Sequence, residues 1–293
     1  EGGGLGKFDP KEIGPTDVQK SNGVIDYVAD NEKDATNIAK KILSYFQGEI
    51  TDWKADDQTQ LSNIMPKDRR WSYPVRDIIK IISDIEEFTE IKPEYGKGIV
   101  TCFIRIEGKP FGLLANDSQH LGGAIDSEGA DKASSFIEIC SEYGLPLISL
   151  VDTPGFMVGP DSEKEGAVKR MSNLFKVGSK VKVPLTAIFL RKGYGLGAQA
   201  MVGGSLHEPV YTAAWPTGEF GAMGLEGAVK LGFKKELEKI EDNSEREKLF
   251  NSLVEKLYDK GKAIEAAAHL EIDAVINPSE TRSVILKSQK AFV

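Results

Sequence analysis

The run Leu147-Ile148-Ser149-Leu150-Val151 is apolar at odd and even positions alike, and the run over 183–190 behaves in the same way. A strand with one wet face alternates, whereas a strand apolar on both faces belongs inside a parallel sheet covered by helices on each side. Each run ends in a glycine-rich turn: Asp152-Thr153-Pro154-Gly155-Phe156-Met157-Val158-Gly159 after the first, and Arg191-Lys192-Gly193-Tyr194-Gly195-Leu196-Gly197-Ala198 after the second. Around them the pattern predicts a hairpin from strands over 99–106 and 110–115, turning at Glu107-Gly108, and shorter strands over 210–214 and 272–276. Apolar spacing predicts helices over 127–143, 168–177, 226–231 and 249–267, with another beginning within 197–203. Lys234 to Lys248 is a charged, solvated helix or hairpin tip. Upstream, 23–29 is a β-type run, Asp30 or Asn31 caps the helix that follows, and Pro74 opens a helix through Ile85. The polar stretch from Gly48 to Arg70 has the composition of a linker. A strand–strand–helix rhythm of this kind is an α/β architecture.

Composition removes several classes of function. With 40% hydrophobic content in 293 residues, the chain has ample material for a core, which argues against disorder. The net charge of −8 comes without a basic stripe, so no nucleic-acid partner is expected. Cys102 and Cys140 build no disulfide framework, and His120, His207 and His269 are too scattered for metal-ligand spacing. Apolar runs fall far short of the roughly 20 residues that cross a bilayer. No membrane, no metal and a reducing compartment are therefore expected. Gly-x-Ser-x-Gly and the P-loop pattern are absent, and Cys140 has the setting of a packing residue. What stands out is backbone. A glycine turn between a strand end and a helix start offers N–H groups at the positive end of a helix dipole, fit for a phosphate or an oxyanion. The plainer alternative, tight turning for close packing, stays open on spacing alone.

A resemblance narrows this choice. Asp152-Thr153-Pro154-Gly155-Phe156, the run from Arg191 to Met201, Trp215-Pro216-Thr217-Gly218-Glu219-Phe220-Gly221-Ala222-Met223-Gly224 and Glu226-Gly227-Ala228-Val229 resemble the carboxyltransferase (β) subunits of biotin-dependent acyl-CoA carboxylases of the propionyl-, acetyl- and long-chain type. Ala115-Asn116, Gly123-Ala124-Ile125-Asp126, Ile272-Asp273 and Ile276-Asn277-Pro278 extend the resemblance along nearly the whole chain. It implies a crotonase/ClpP-like spiral of ββα units. It also implies that 1–68 is the remnant of an N-terminal carboxyltransferase domain plus linker, and that 69–293 is the C-terminal, biotin-side domain. On that reading the opening run Glu1-Gly2-Gly3-Gly4 is a cut edge, with the acyl-CoA half of the site preceding Glu1.

The implied reaction is carboxyl transfer from carboxybiotin to the α-carbon of an acyl-CoA. The cofactor supplies the base, so the protein's task is to position reactants and stabilise oxyanions. Gly197 and Ala198 match the pair that serves the biotin ureido oxygen; Gly155, Phe156, Gly159 and Gly195 match the biotin-binding loops; Ala200 matches a position governing acyl-chain preference. Arg191 and Lys192 divide between orienting an anion and supporting structure, and Glu219 between turn hydrogen bonding and site support. Biotin on a separate carrier domain or subunit, biotin carboxyl carrier protein and biotin carboxylase as partners, and a homo-oligomer of dimer size or larger are implied. So is a cytoplasmic location, or the mitochondrial matrix in a eukaryote. A biotin-dependent acyl-CoA decarboxylase subunit, and a non-catalytic biotin-carrier-binding or dimerisation module, are the competing readings.

Overall fold

The computed structural model describes residues 3–290, so Glu1 and Gly2 of the opening glycine run lie outside the described residues. The apolar runs pair into an eight-stranded sheet. Its strands are β1 Phe88–Ile91, β2 Ile99–Ile106, β3 Lys109–Asn116, β4 Leu147–Thr153, β5 Leu185–Tyr194, β6 Tyr211–Ala214, β7 Glu219–Gly221 and β8 Ala274–Val275. They lie in the order β1-β2-β3-β4-β5-β6-β8, and β7 pairs with the far end of β5. The helices are α1 Thr16–Ser21, α2 Glu32–Ser44, α3 Val75–Ile82, α4 Ser127–Glu142, α5 Pro160–Lys164, α6 Ala167–Gly178, α7 Gly195–Met201, α8 Leu225–Gly232, α9 Lys234–Glu238, α10 Asn243–Gly261, α11 Ala263–Ala268 and α12 Thr281–Lys290.

The hairpin β2–β3 pairs Ile99 with Asn116 through to Ile106 with Lys109, and turns at Glu107 and Gly108, both at positive φ (50° and 77°). Two central residues with φ > 0 match the right-handed strand twist. From β3 onward, β4, β5, β6 and β8 run parallel, each reached by a crossover. A hairpin followed by a helix, β2-β3-α4, then parallel returns, is the crotonase-type α/β arrangement that the resemblance implies. Alternation along the buried strands splits their side chains between two cores. Leu147, Val151, Leu185, Ala187 and Phe189 face α4, α6 and α7, while Ile148, Leu150, Ile188 and Leu190 face α3 and α12.

Several sequence expectations are altered by tertiary contacts. Residues 23–29 form no strand; the segment is held by single bonds such as Lys92 N–H to Asp26 O (2.9 Å). The helix opened by Pro74 stops at Ile82, where Asp84 N–H turns to Arg105 O (2.8 Å). The helix expected over 249–267 starts earlier and breaks at Lys262, whose backbone bridges to Glu219. β1, β7 and α12 carry no strong periodic signal. The polar stretch 48–70 lies on the body: Leu61 is buried, and Gln58 Nε2 donates to Ile81 O at 2.6 Å.

Candidate active site

The carboxyl ends of β4 and β5 place the two glycine turns side by side, the position at which open α/β sheets carry their sites. After β4, Gly155 takes φ +124° and donates its N–H to Thr153 Oγ1 (3.1 Å). Its carbonyl accepts from Ile125 N–H (3.0 Å), and Met157 N–H donates back to Ile125 O (2.8 Å), so the loop is pinned to the 123–126 turn. Phe156 packs against Phe175 of α6, ring centres 6.1 Å apart.

After β5 the chain corners at Gly195, φ +58°, where a Cβ would lie 2.7 Å from Ala222 O. Two residues on, a Cβ on Gly197 would lie 2.7 Å from both Cα and C of Gly155 and 3.0 Å from Phe156 N. The first turn of α7 therefore rests backbone to backbone on the other glycine loop. No side chain caps α7, whose first N–H groups have no partners within the helix. Ala198 lines a cavity of about 460 Å³ shared with Gly195, Phe220, Ala222, Ala266 and His269.

Gly155, Phe156, Gly195, Gly197 and Ala198 are thus brought together. Gly159 stands further along the loop at φ +131°, as the N-cap of α5, with nothing near its Cβ position. Ala200 is fully buried in the core and does not line the cavity.

Beneath the turns, β4 and β5 fall out of step: Val151 faces Phe189, and Thr153 faces Gly193, so β5 bulges opposite Asp152. Bulges re-aim side chains next to sites. Asp152, fully buried, accepts from Arg191 Nη2 (2.9 Å) and Lys192 N–H (3.0 Å). Arg191 also donates to Arg69 O and Trp71 O (2.8 and 2.6 Å), and lies over the Tyr73 ring. Its role is structural. Lys192 Nζ donates to Gly122 O at 2.5 Å, and burial pushes its pKa down. On the opposite side of β5, Glu219 makes no turn hydrogen bond. Burial raises its carboxyl pKa, and Arg69 opposes that only in part. Burial likewise raises the Tyr194 hydroxyl, with Glu219 adding to the effect.

Local sequence pattern did not single out Asp152 or Tyr194. The available signal was an acidic residue ending one buried run and a basic residue ending the next. Among the described residues, no group of three or more His, Cys, Asp and Glu side chains is arranged for a metal ion. Nor is any described helix long and apolar enough to cross a membrane.

Comparison with known proteins places this geometry. The carboxyl transferase domain family matches residues 9–293. The chain is 32% identical over 295 residues to the methylmalonyl-CoA carboxyltransferase 12S subunit of Propionibacterium freudenreichii subsp. shermanii, covering 96% of this chain and 55% of that protein. It is 32% identical over 290 residues to the biotin-dependent long chain acyl-coenzyme A carboxylase beta4 subunit of Mycobacterium tuberculosis, covering 94% of this chain and 55% of that one. The chain thus spans just over half the length of these curated relatives. Among solved structures, a single-chain, multi-domain long-chain acyl-CoA carboxylase superposes with TM-score 0.91 at 50% identity, covering 98% of this chain and 28% of the larger one. Transcarboxylase 12S, a hexamer solved with methylmalonyl-coenzyme A and methylmalonic acid bound, superposes with TM-score 0.86 at 30% identity over 98% of this chain and 56% of its own. A match over 9–293 reaches both glycine turns and every strand that carries them, and on that ground the chain belongs to the carboxyl transferase domain family.

Proposed function

We propose that this chain carries the biotin side of a site that moves a carboxyl group between biotin and the α-carbon of an acyl-CoA. The observation that carries the reading is the first turn of α7 packed on the Gly155–Phe156 backbone, so closely that a Cβ at Gly197 would lie 2.7 Å from Gly155. Relatives named for biotin dependence and for methylmalonyl-CoA support the substrate pair. The fit is chemical as well as steric: a flat ureido group needs adjacent backbone donors and a close wall without side chains, and both are present here. When bound, biotin supplies the carboxyl group and the base at its ureido nitrogen. Gly197 presents its N–H to the ureido oxygen, Ala198 beside it lines the cavity while its own N–H starts the hydrogen bonding of α7, and Gly155, Phe156, Gly159 and Gly195 form the wall. A donor of this kind is worth about 10²–10³-fold in rate. Ala200, fully buried within α7, is the position through which acyl-chain preference is set in this reading.

In this reading, residues 69–293 form the biotin-side domain and 1–68 complete an N-terminal carboxyltransferase domain plus linker. Biotin arrives on a separate carrier domain or subunit loaded by a biotin carboxylase. The chain pairs with further copies of itself, as the 12S hexamer does. The test is carboxyl transfer from methylmalonyl-CoA to biocytin, well below the melting temperature of each variant. Gly197→Ala is expected to lower the rate about 10²-fold. Transfer at an unchanged rate, or no transfer by the parent protein with its partners present, overturns the reading.

A further inference from the structure

Two carboxylates bracket the end of β5, and only one is satisfied. Asp152, on the β4 side, holds Arg191 and the Lys192 N–H. Glu219, on the β7 side, pairs through its backbone with Lys192 and is 1% exposed, yet neither carboxylate oxygen has a hydrogen-bond partner. Its nearest cation, Arg69 Nη1, is 3.7 Å away and already engaged with Glu226 at 2.7 Å. The hydroxyl of Tyr194, which interacts with Glu219, is buried and unpartnered too. Leaving two polar groups unpaired in one place is costly, so such pairs tend to persist where they serve a site.

Their position indicates the service. Tyr194 is the N-cap of α7, and the β5–β7 register sets it against Gly221. The next residue, Gly195, corners against Ala222 O. Glu219 and Tyr194 therefore lie under the point where strand becomes helix.

We propose that Glu219 is a positioning residue, which through the Tyr194 hydroxyl fixes the β5–α7 corner and hence the aim of the free N–H groups of the first turn of α7, that of Gly197 among them. The proposal rests on the reading of those groups as oxyanion donors. A modest side-chain shift closes one hydrogen bond: the tyrosine donates to a carboxylate, or a carboxylic acid donates to the tyrosine oxygen. The charged and titratable groups facing Glu219 are Arg69 from the 67–71 segment, Arg191, Lys192 and Tyr194 from β5, and Asp152 from β4. Arg69 and Asp152 already have partners, which leaves Tyr194 as the free counterpart.

The test combines amide hydrogen exchange over 194–201 with transfer kinetics, for Tyr194→Phe, Glu219→Ala and Glu219→Gln. Tyr194→Phe and Glu219→Ala are expected to speed exchange at 195–198 about tenfold, with the β4 and β5 amides unchanged. They are expected to lower kcat about 10²-fold while KM stays within about twofold. Glu219→Gln, which keeps the shape and the acceptor, should restore both. Uniformly faster exchange, no change over 195–198, or a Glu219→Gln variant as impaired as Glu219→Ala overturns the proposal. If the parent protein shows no transfer, the functional reading fails on its own, and the exchange data still decide whether the corner is held in this way.

Discussion

Lys132 shows what a single buried charge does to this molecule. It is 3% exposed on α4 and donates to Tyr95 O at 2.9 Å, and burial lowers its pKa from 10.5 to about 8. The folded chain gives up that proton first, so between pH 8 and 10.5 the unfolded chain binds more protons, and stability rises with pH across that window. Urea midpoints should increase over this range and lose the increase in Lys132→Met; a flat profile for the unmodified chain would contradict the assignment. Glu219 works in the opposite sense. Its pKa is raised above the ordinary 4.5, so the folded state keeps its proton longer and stability is lost as pH rises past that value. Glu219→Gln should therefore gain on the parent protein above pH 4.5 and match it below, as read by melting temperature. Glycine placement was legible in the sequence, because Gly155, Gly195 and Gly197 follow uninterrupted apolar runs. The nearness of Tyr194 to Glu219 was not, since it depends on the parallel register of β5 with β7, which sets Lys192 against Glu219 and Tyr194 against Gly221 and which no local pattern encodes.

Elements followed the same division. Strands buried on both faces, β4 and β5, and the hairpin β2–β3 were recognisable from apolar runs and turn residues. Residues 23–29 share the composition of a strand, yet Val24, Tyr27 and Val28 are exposed, and the segment lies beside the outer strand β1 with isolated bonds such as Lys92 N–H to Asp26 O instead of a ladder. β7 is short and begins with a glutamate; it exists because the end of β5 offers free ladder groups to Glu219, Phe220 and Gly221. The break between α10 and α11 has a similar origin, with Ala263 N–H donating to Gly218 O at 2.8 Å instead of continuing the helix. Asp152 is the pin between β4 and β5. Asp152→Ala leaves Arg191 as a buried, unpaired charge and should cost about 3–5 kcal/mol of stability. Urea unfolding checks this, and a loss within experimental error of zero would show that the bulge holds without the pair.

At the scale of the whole molecule, a few buried cations bind distant segments together. Arg105, 1% exposed, donates to Ser44 O, Gly48 O and Gly108 O at 2.7–2.8 Å and lies over the Tyr45 ring. It fastens the α2 segment to the hairpin. Arg105→Met should leave the sheet folded while exposing α2 to limited trypsin digestion at Lys40 and Lys41; protection equal to the parent protein's would show that packing alone holds the segment. Arg282 does the same for α12, donating to Ile82 O (2.8 Å) and pairing with Asp84, which also accepts from Glu107 N–H and Gly108 N–H. Composition marked 48–70 as polar, but it could not show that buried arginines and backbone carbonyls would draw that region onto the sheet. The parallel order of β4 and β5 has a consequence in time. Their first shared hydrogen bond forms only after the crossover from Thr153 to Leu185 has closed, a slow, non-local event. Because one glycine turn ends each strand, the packing of α7 on the Gly155–Phe156 backbone has no local precursor: during refolding, helical signal should return before amide protection over 195–198 does.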